Sequence, residues 1–76
     1  MDVEVMKLLA AAGCMAIGSI APALGEGMVA SKGIESIGRN PEAADKIFTN
    51  MIVSMAIIES IAIFCLVVSL IVLFAA

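Results

Sequence analysis

The sequence predicts an all-α membrane protein, a two-helix transmembrane hairpin that assembles into a homo-oligomeric ring. Three observations carry this prediction. The 76-residue chain is 63% hydrophobic and only 14% charged, with a mean hydropathy of +1.20. Its charge-poor positions fall into two long runs separated by a short polar segment. Its small residues crowd into the first of those runs, at spacings that form stripes on a helix.

A soluble domain of this length buries too little surface to fold easily alone. One this apolar would also leave hydrophobic area facing water, which places the chain in the membrane class. The net charge of −3 offers no basic patch for nucleic acid. Cys14 and Cys65 lie in apolar runs without CxxC spacing, and read as small buried hydrophobes. The segment "AAGC" at 11–14 is a poor lipoprotein cleavage box, because the residues before it are net acidic and the apolar run is short. The first span is therefore expected to be retained.

The first run covers residues 8–25 without a charge, and the second covers 47–76 interrupted only by Glu59. Spanning a bilayer takes about 20 apolar residues, so two spans fit. We expect one hairpin over 1–76, with helix one at about 5–38, a tight polar turn at 39–42 and helix two at 43–75. Asn40-Pro41 is a turn signal, and Gly38 suits a helix C-terminus. Pro41 and Glu42 suit the first turn of the next helix, where a missing N–H is harmless and a carboxylate meets the positive dipole end. Lys32, Arg39 and Lys46 place the turn on the cytoplasmic side and both termini outside.

All six glycines fall between residues 13 and 38, and all three phenylalanines (48, 64 and 74) fall in the second half. Small residues let helix backbones approach in a membrane, so helix one is expected to be the packed element and helix two the outer one. Within "SIAPALGEG", Ser19, Ala23 and Gly27 form one stripe at 100° per residue, and Ala21 with Gly25 form another nearly opposite. Two stripes allow a neighbour on both sides, and a head-to-tail contact that closes makes a ring. Pro22 is expected to bend this helix or remove one backbone hydrogen bond.

Glu59 is the residue that needs explaining. An ionised carboxylate at mid-membrane costs at least ~2.5–3.5 kcal/mol. Glu26 lies 13 residues before Arg39, and Glu59 lies 13 residues after Lys46. Both therefore sit roughly 20–25 Å from the turn at ~1.5 Å per residue, and a hairpin brings them to similar depth. Two ionised carboxylates there would repel, so at least one is expected to hold a proton at neutral pH. A buried pair that exchanges a proton or a small cation accounts for them better than a permanently protonated interhelical contact.

The alternating small residues at 19–27, "RNPEA" at 39–43, Glu59 in mid-helix and the tail "FCLVVSLIVLF" carry a family resemblance. Together they make the chain similar to the c subunit, or proteolipid, of F-type ATP synthases over almost its whole length. The resemblance implies a c-ring of identical hairpins turning in the membrane, most simply a bacterial plasma membrane. Glu59 would carry the coupling ion and exchange it through the stator, whose a subunit bears an essential Arg. The loop at Arg39, Asn40 and Pro41 would contact the gamma and epsilon subunits of the central stalk, coupling rotation to ATP synthesis or hydrolysis. The chain itself would hold no catalytic residue and no cofactor, and would contact membrane lipid.

In the sodium-binding branch of that family, the matching ligand positions are Glu26, Glu59, Ser60 and the Ile57 carbonyl, all oxygen donors. Against sodium, Ile61 stands where those members often have Thr, and Phe64 where they often have Tyr. Fewer hydroxyls make a drier site, which favours H⁺, with Na⁺ held by Glu26, Glu59 and Ser60 as the alternative. Outside this family, a hairpin pore of the phage-holin kind or a small antiporter dimer would also fit two spans. A pore would not need an acid pair at matched depth.

Overall fold

The computed structural model describes residues 2–75, which form an antiparallel helical hairpin. Helix α1 spans Val3–Gly18. Asp2 caps it by accepting a hydrogen bond from the Val5 N–H at 2.9 Å, and Glu4 adds negative charge to the first turn. Helix α2 spans Ile20–Arg39. Between them lies only Ser19, whose backbone stays right-handed (φ −87°, ψ −10°).

The expected single helix over 5–38 is thus two segments that together run Val3–Arg39. Pro22 explains the interruption. It has no N–H, so the Gly18 carbonyl four residues earlier loses its partner. The ladder is intact on either side, with Ser19 N–H donating to Met15 O at 3.0 Å and Ala23 N–H to Ser19 O at 3.1 Å. Pro22 itself is buried against the rest of the hairpin.

The turn falls one residue later than the expected 39–42. Arg39 is still helical, and the chain breaks at Asn40 (φ −133°, ψ 75°). Pro41–Ala43 then form one 3₁₀ turn, closed by Ala43 N–H to Asn40 O at 3.0 Å. Helix α3 follows as Ala44–Phe74, against the expected 43–75. Gly38 does not end its helix by a left-handed cap, since no described glycine has positive φ. Asn40 and the rigid Pro41 reverse the chain instead.

Helix α3 packs back along both α1 and α2, giving Cα extents of 59 × 17 × 8 Å. A length of 59 Å exceeds the ~40–45 Å of a bilayer with its headgroups, so at least one end projects beyond the membrane. Gly18, Gly25 and Gly33 face Cys65, Ile58 and Met51 respectively. The α3 partners recur every seven residues, the spacing of a left-handed pair of helices crossing at a shallow angle. Near the open end, the Ser69 hydroxyl donates to Ala11 O at 2.9 Å and the Cys14 thiol donates to Cys65 O at 3.5 Å. The outer surfaces are apolar, with Ile17, Leu24, Phe64 and Phe74 exposed, as suits lipid or a neighbouring hairpin.

Candidate functional site

The site is built where α2 and α3 approach at mid-hairpin. A Cβ placed on Gly25 would stand 3.5 Å from Ile58 Cγ2, so the glycine lets the two helices close to ordinary contact distance. Glu26 and Glu59 are the next residues along each helix. Their carboxyls are neighbours across the interface. Glu26 is half-buried, whereas Glu59 remains exposed on the flank of the hairpin. A carboxyl–carboxyl hydrogen bond requires a proton, because an ionised carboxylate only accepts.

Ser60 and Ile57 lie beside this pair but are occupied with each other. The Ser60 hydroxyl donates to the Ile57 carbonyl oxygen at 2.6 Å, a bond back along its own helix. Both oxygens lie beside Glu59 and keep lone pairs beyond this bond.

The other predicted residues are more scattered. Arg39, Asn40 and Pro41 are exposed together at the turn. Arg39 is held by Glu35, one helical turn earlier, at 2.6 Å, and Glu35 also lies 3.8 Å from Lys32. Ala21, Ala23 and Gly27 are exposed, Ser19 is half-buried at the helix junction, and nothing would meet a Cβ on Gly27. The stripe pattern turns Gly25 toward a neighbouring hairpin, and within its own hairpin a Cβ there would meet Ile58 at ordinary contact distance.

Gly18, Gly33, Cys65 and Ser69 set the spacing of the two helices along the rest of the seam, and none of them stands out from the sequence pattern. A signal for the glycines exists, since 18, 25 and 33 recur at intervals of seven and eight. The denser alternation at 19–27 masks that longer period.

Residues 9–72 match the family model of the ATP synthase C subunit. An ATP synthase c subunit of Dehalococcoides mccartyi is 50% identical over 76 residues, covering 100% of both chains. An ATP synthase c subunit of Pelobacter propionicus is 48% identical over 75 residues, covering 99% of this chain and 82% of its own. That of Geobacter metallireducens is 47% identical with the same coverage. A polar-tipped apolar hairpin with a mid-span carboxyl pair, matched end to end by these proteins, belongs to the c-subunit family of ATP synthases.

Proposed function

We propose that this chain is a rotor component that carries H⁺ on Glu59, with Glu26 as the partner that shares the proton. Members of the family form rings. A ring of these hairpins turns as each Glu59 is loaded and unloaded at the a subunit of the stator. Neutral Glu59 tolerates the lipid-facing side of the ring, whereas ionised Glu59 requires water or a cation beside it. That difference in free energy makes rotation conditional on ion exchange. Arg39, Asn40 and Pro41 form the contact with the gamma and epsilon subunits of the central stalk, and the loop faces the cytoplasm of a bacterial cell.

The observation that carries the proton reading is the Glu26–Glu59 contact. One proton bridges the two carboxyls and a second makes the pair neutral, so protons alone satisfy the site with no further ligand. Sodium would draw on the lone pairs that Ser60 Oγ and Ile57 O keep beyond their mutual bond, and would still need one carboxyl to keep a proton for the site to be neutral.

A hydrophobic carbodiimide, which attacks protonated carboxyls, tests this directly. Labelling of Glu59 should quicken as pH falls, and millimolar Na⁺ should leave its rate unchanged. Protection by Na⁺ but not K⁺ at neutral pH would overturn H⁺ in favour of Na⁺. In that case Ser60→Ala should abolish the protection. Glu59→Gln should leave the ring assembled and eliminate ion translocation, because an amide cannot cycle a proton. ATP-driven pumping retained in that variant would sink the assignment of Glu59.

A further inference from the structure

We propose that Phe48 of one hairpin seats in a flank notch of the next, fixing the register of neighbouring hairpins near the loop. The inference rests on the ring reading above and adds the contact that closes it.

The two flanks of the hairpin differ. Phe48 precedes Glu59 by 11 residues, about 20° apart on a helix, so both lie on the same flank of α3. Asn50 and Ser54 lie on the other. There they line a notch of about 270 Å³ together with Val29, Lys32, Gly33, Ser36, Ile47 and Met51. In a ring, rotation about an axis normal to the membrane preserves depth, so each flank meets the opposite flank of a neighbour at the same level. The notch spans residues 47–54 of α3, and Phe48 lies within that level.

The chemistry of the notch selects an aromatic ring. Its floor is apolar, with the Met51 sulfur resting over Gly33, where a side chain at residue 33 would exclude it. Sulfur packs favourably against aromatic rings. Lys32 at the rim can place its ammonium over a ring face, and Asn50 offers amide N–H groups. The chain has three Phe and no Trp or Tyr, and Phe64 and Phe74 lie 16 and 26 residues further along α3. Phe48 is the aromatic at this depth, and 54% of it is exposed in the single hairpin.

The test is disulfide trapping in the assembled complex, with Cys14→Ala and Cys65→Ala as background. Phe48→Cys combined with Asn50→Cys, two residues away in depth and inside the notch, should give, under copper–phenanthroline oxidation, a ladder of covalent oligomers that collapses to monomer on reduction. Phe48→Cys with Ile61→Cys, on the same flank as Ser54 but deeper, should give none. A ring intact by native electrophoresis but without the Phe48/Asn50 ladder overturns this contact and leaves the ring reading standing. Absence of any ring in the unsubstituted chain overturns the ring reading itself. A second measurement reads the aromatic preference: Phe48→Tyr should keep the heat resistance of the ring in detergent, and Phe48→Leu should lose it. Equal resistance for the two variants would also overturn the proposal.

Discussion

Three glycines of the first span face the second helix, and three face away. The residue type is the same, but the surroundings differ. A Cβ on Gly18 would overlap the Cys65 sulfur and stand 3.2 Å from its Cβ, and a Cβ on Gly33 would overlap the Met51 sulfur. Around Gly13, Gly27 and Gly38 a Cβ would meet nothing within 4 Å. Glycine content alone therefore does not describe this helix. One set brings α3 close enough for Glu26 to reach Glu59, and the other leaves an open surface. Gly27 lies on that surface, in a groove of about 400 Å³ with Ala23, Leu24 and Met28.

Substitutions can break the comparison at its strongest point. Gly18→Ala should be the most damaging alanine substitution, destabilising the hairpin by about 1–3 kcal/mol, because Cys65 is short and its Cβ cannot swing aside. Gly33→Ala should be milder, since the obstructing atom ends a flexible methionine. Gly25→Ala should be neutral or slightly stabilising, as its Cβ makes ordinary contact with Ile58 and alanine favours helix by about 0.5–1 kcal/mol. Detergent denaturation of the purified hairpin would rank the three. If Gly25→Ala proved the worst, glycine-mediated close approach could not be what builds the seam.

The outward set should behave differently. Gly27→Leu should leave hairpin stability unchanged and impair ring assembly, because the added side chain projects only into the open groove. Native electrophoresis beside monomer denaturation separates the two effects. A destabilised monomer with normal rings would reverse the assignment of the two faces.

Much of this is legible in the residues, and what is not has a physical cause. Hydropathy and the Asn40-Pro41 pair locate two spans and a reversal, because bilayer thickness and proline geometry constrain them directly. Counting residues from the turn is enough to bring Glu26 and Glu59 to one depth. Facing direction is harder. The stripe pattern that turns Gly25 toward a neighbouring hairpin does not show that a Cβ there would also meet Ile58 of its own. Pro22 announces a lost backbone bond, yet the break falls at Ser19, because the orphaned carbonyl lies four residues before the proline. The occupation of Ser60 by Ile57 O depends on one side-chain torsion, which no spacing encodes.

The smallest expected effect lies at the open end of the hairpin, where a hydroxyl takes over from glycine. Ser69 is 5% exposed and donates to Ala11 O at 2.9 Å, and Ala11 itself is 8% exposed. The bond links α3 to α1 beyond the last glycine contact at Gly18. Its removal should still matter little. Ser69→Ala deletes the donor together with its need for a partner, and a buried interhelical hydrogen bond in a membrane protein contributes only about 0.6 kcal/mol on average. Ala11 O lies within α1, where the backbone ladder already supplies a partner for carbonyls. Ser69→Ala should therefore shift the denaturation midpoint less than Gly18→Ala does, and Ser69→Leu should shift it more than Ser69→Ala by forcing the ends apart. A Ser69→Ala loss equal to that of Gly18→Ala would mean that polar contact, rather than close approach at glycine, sets the strength of the seam.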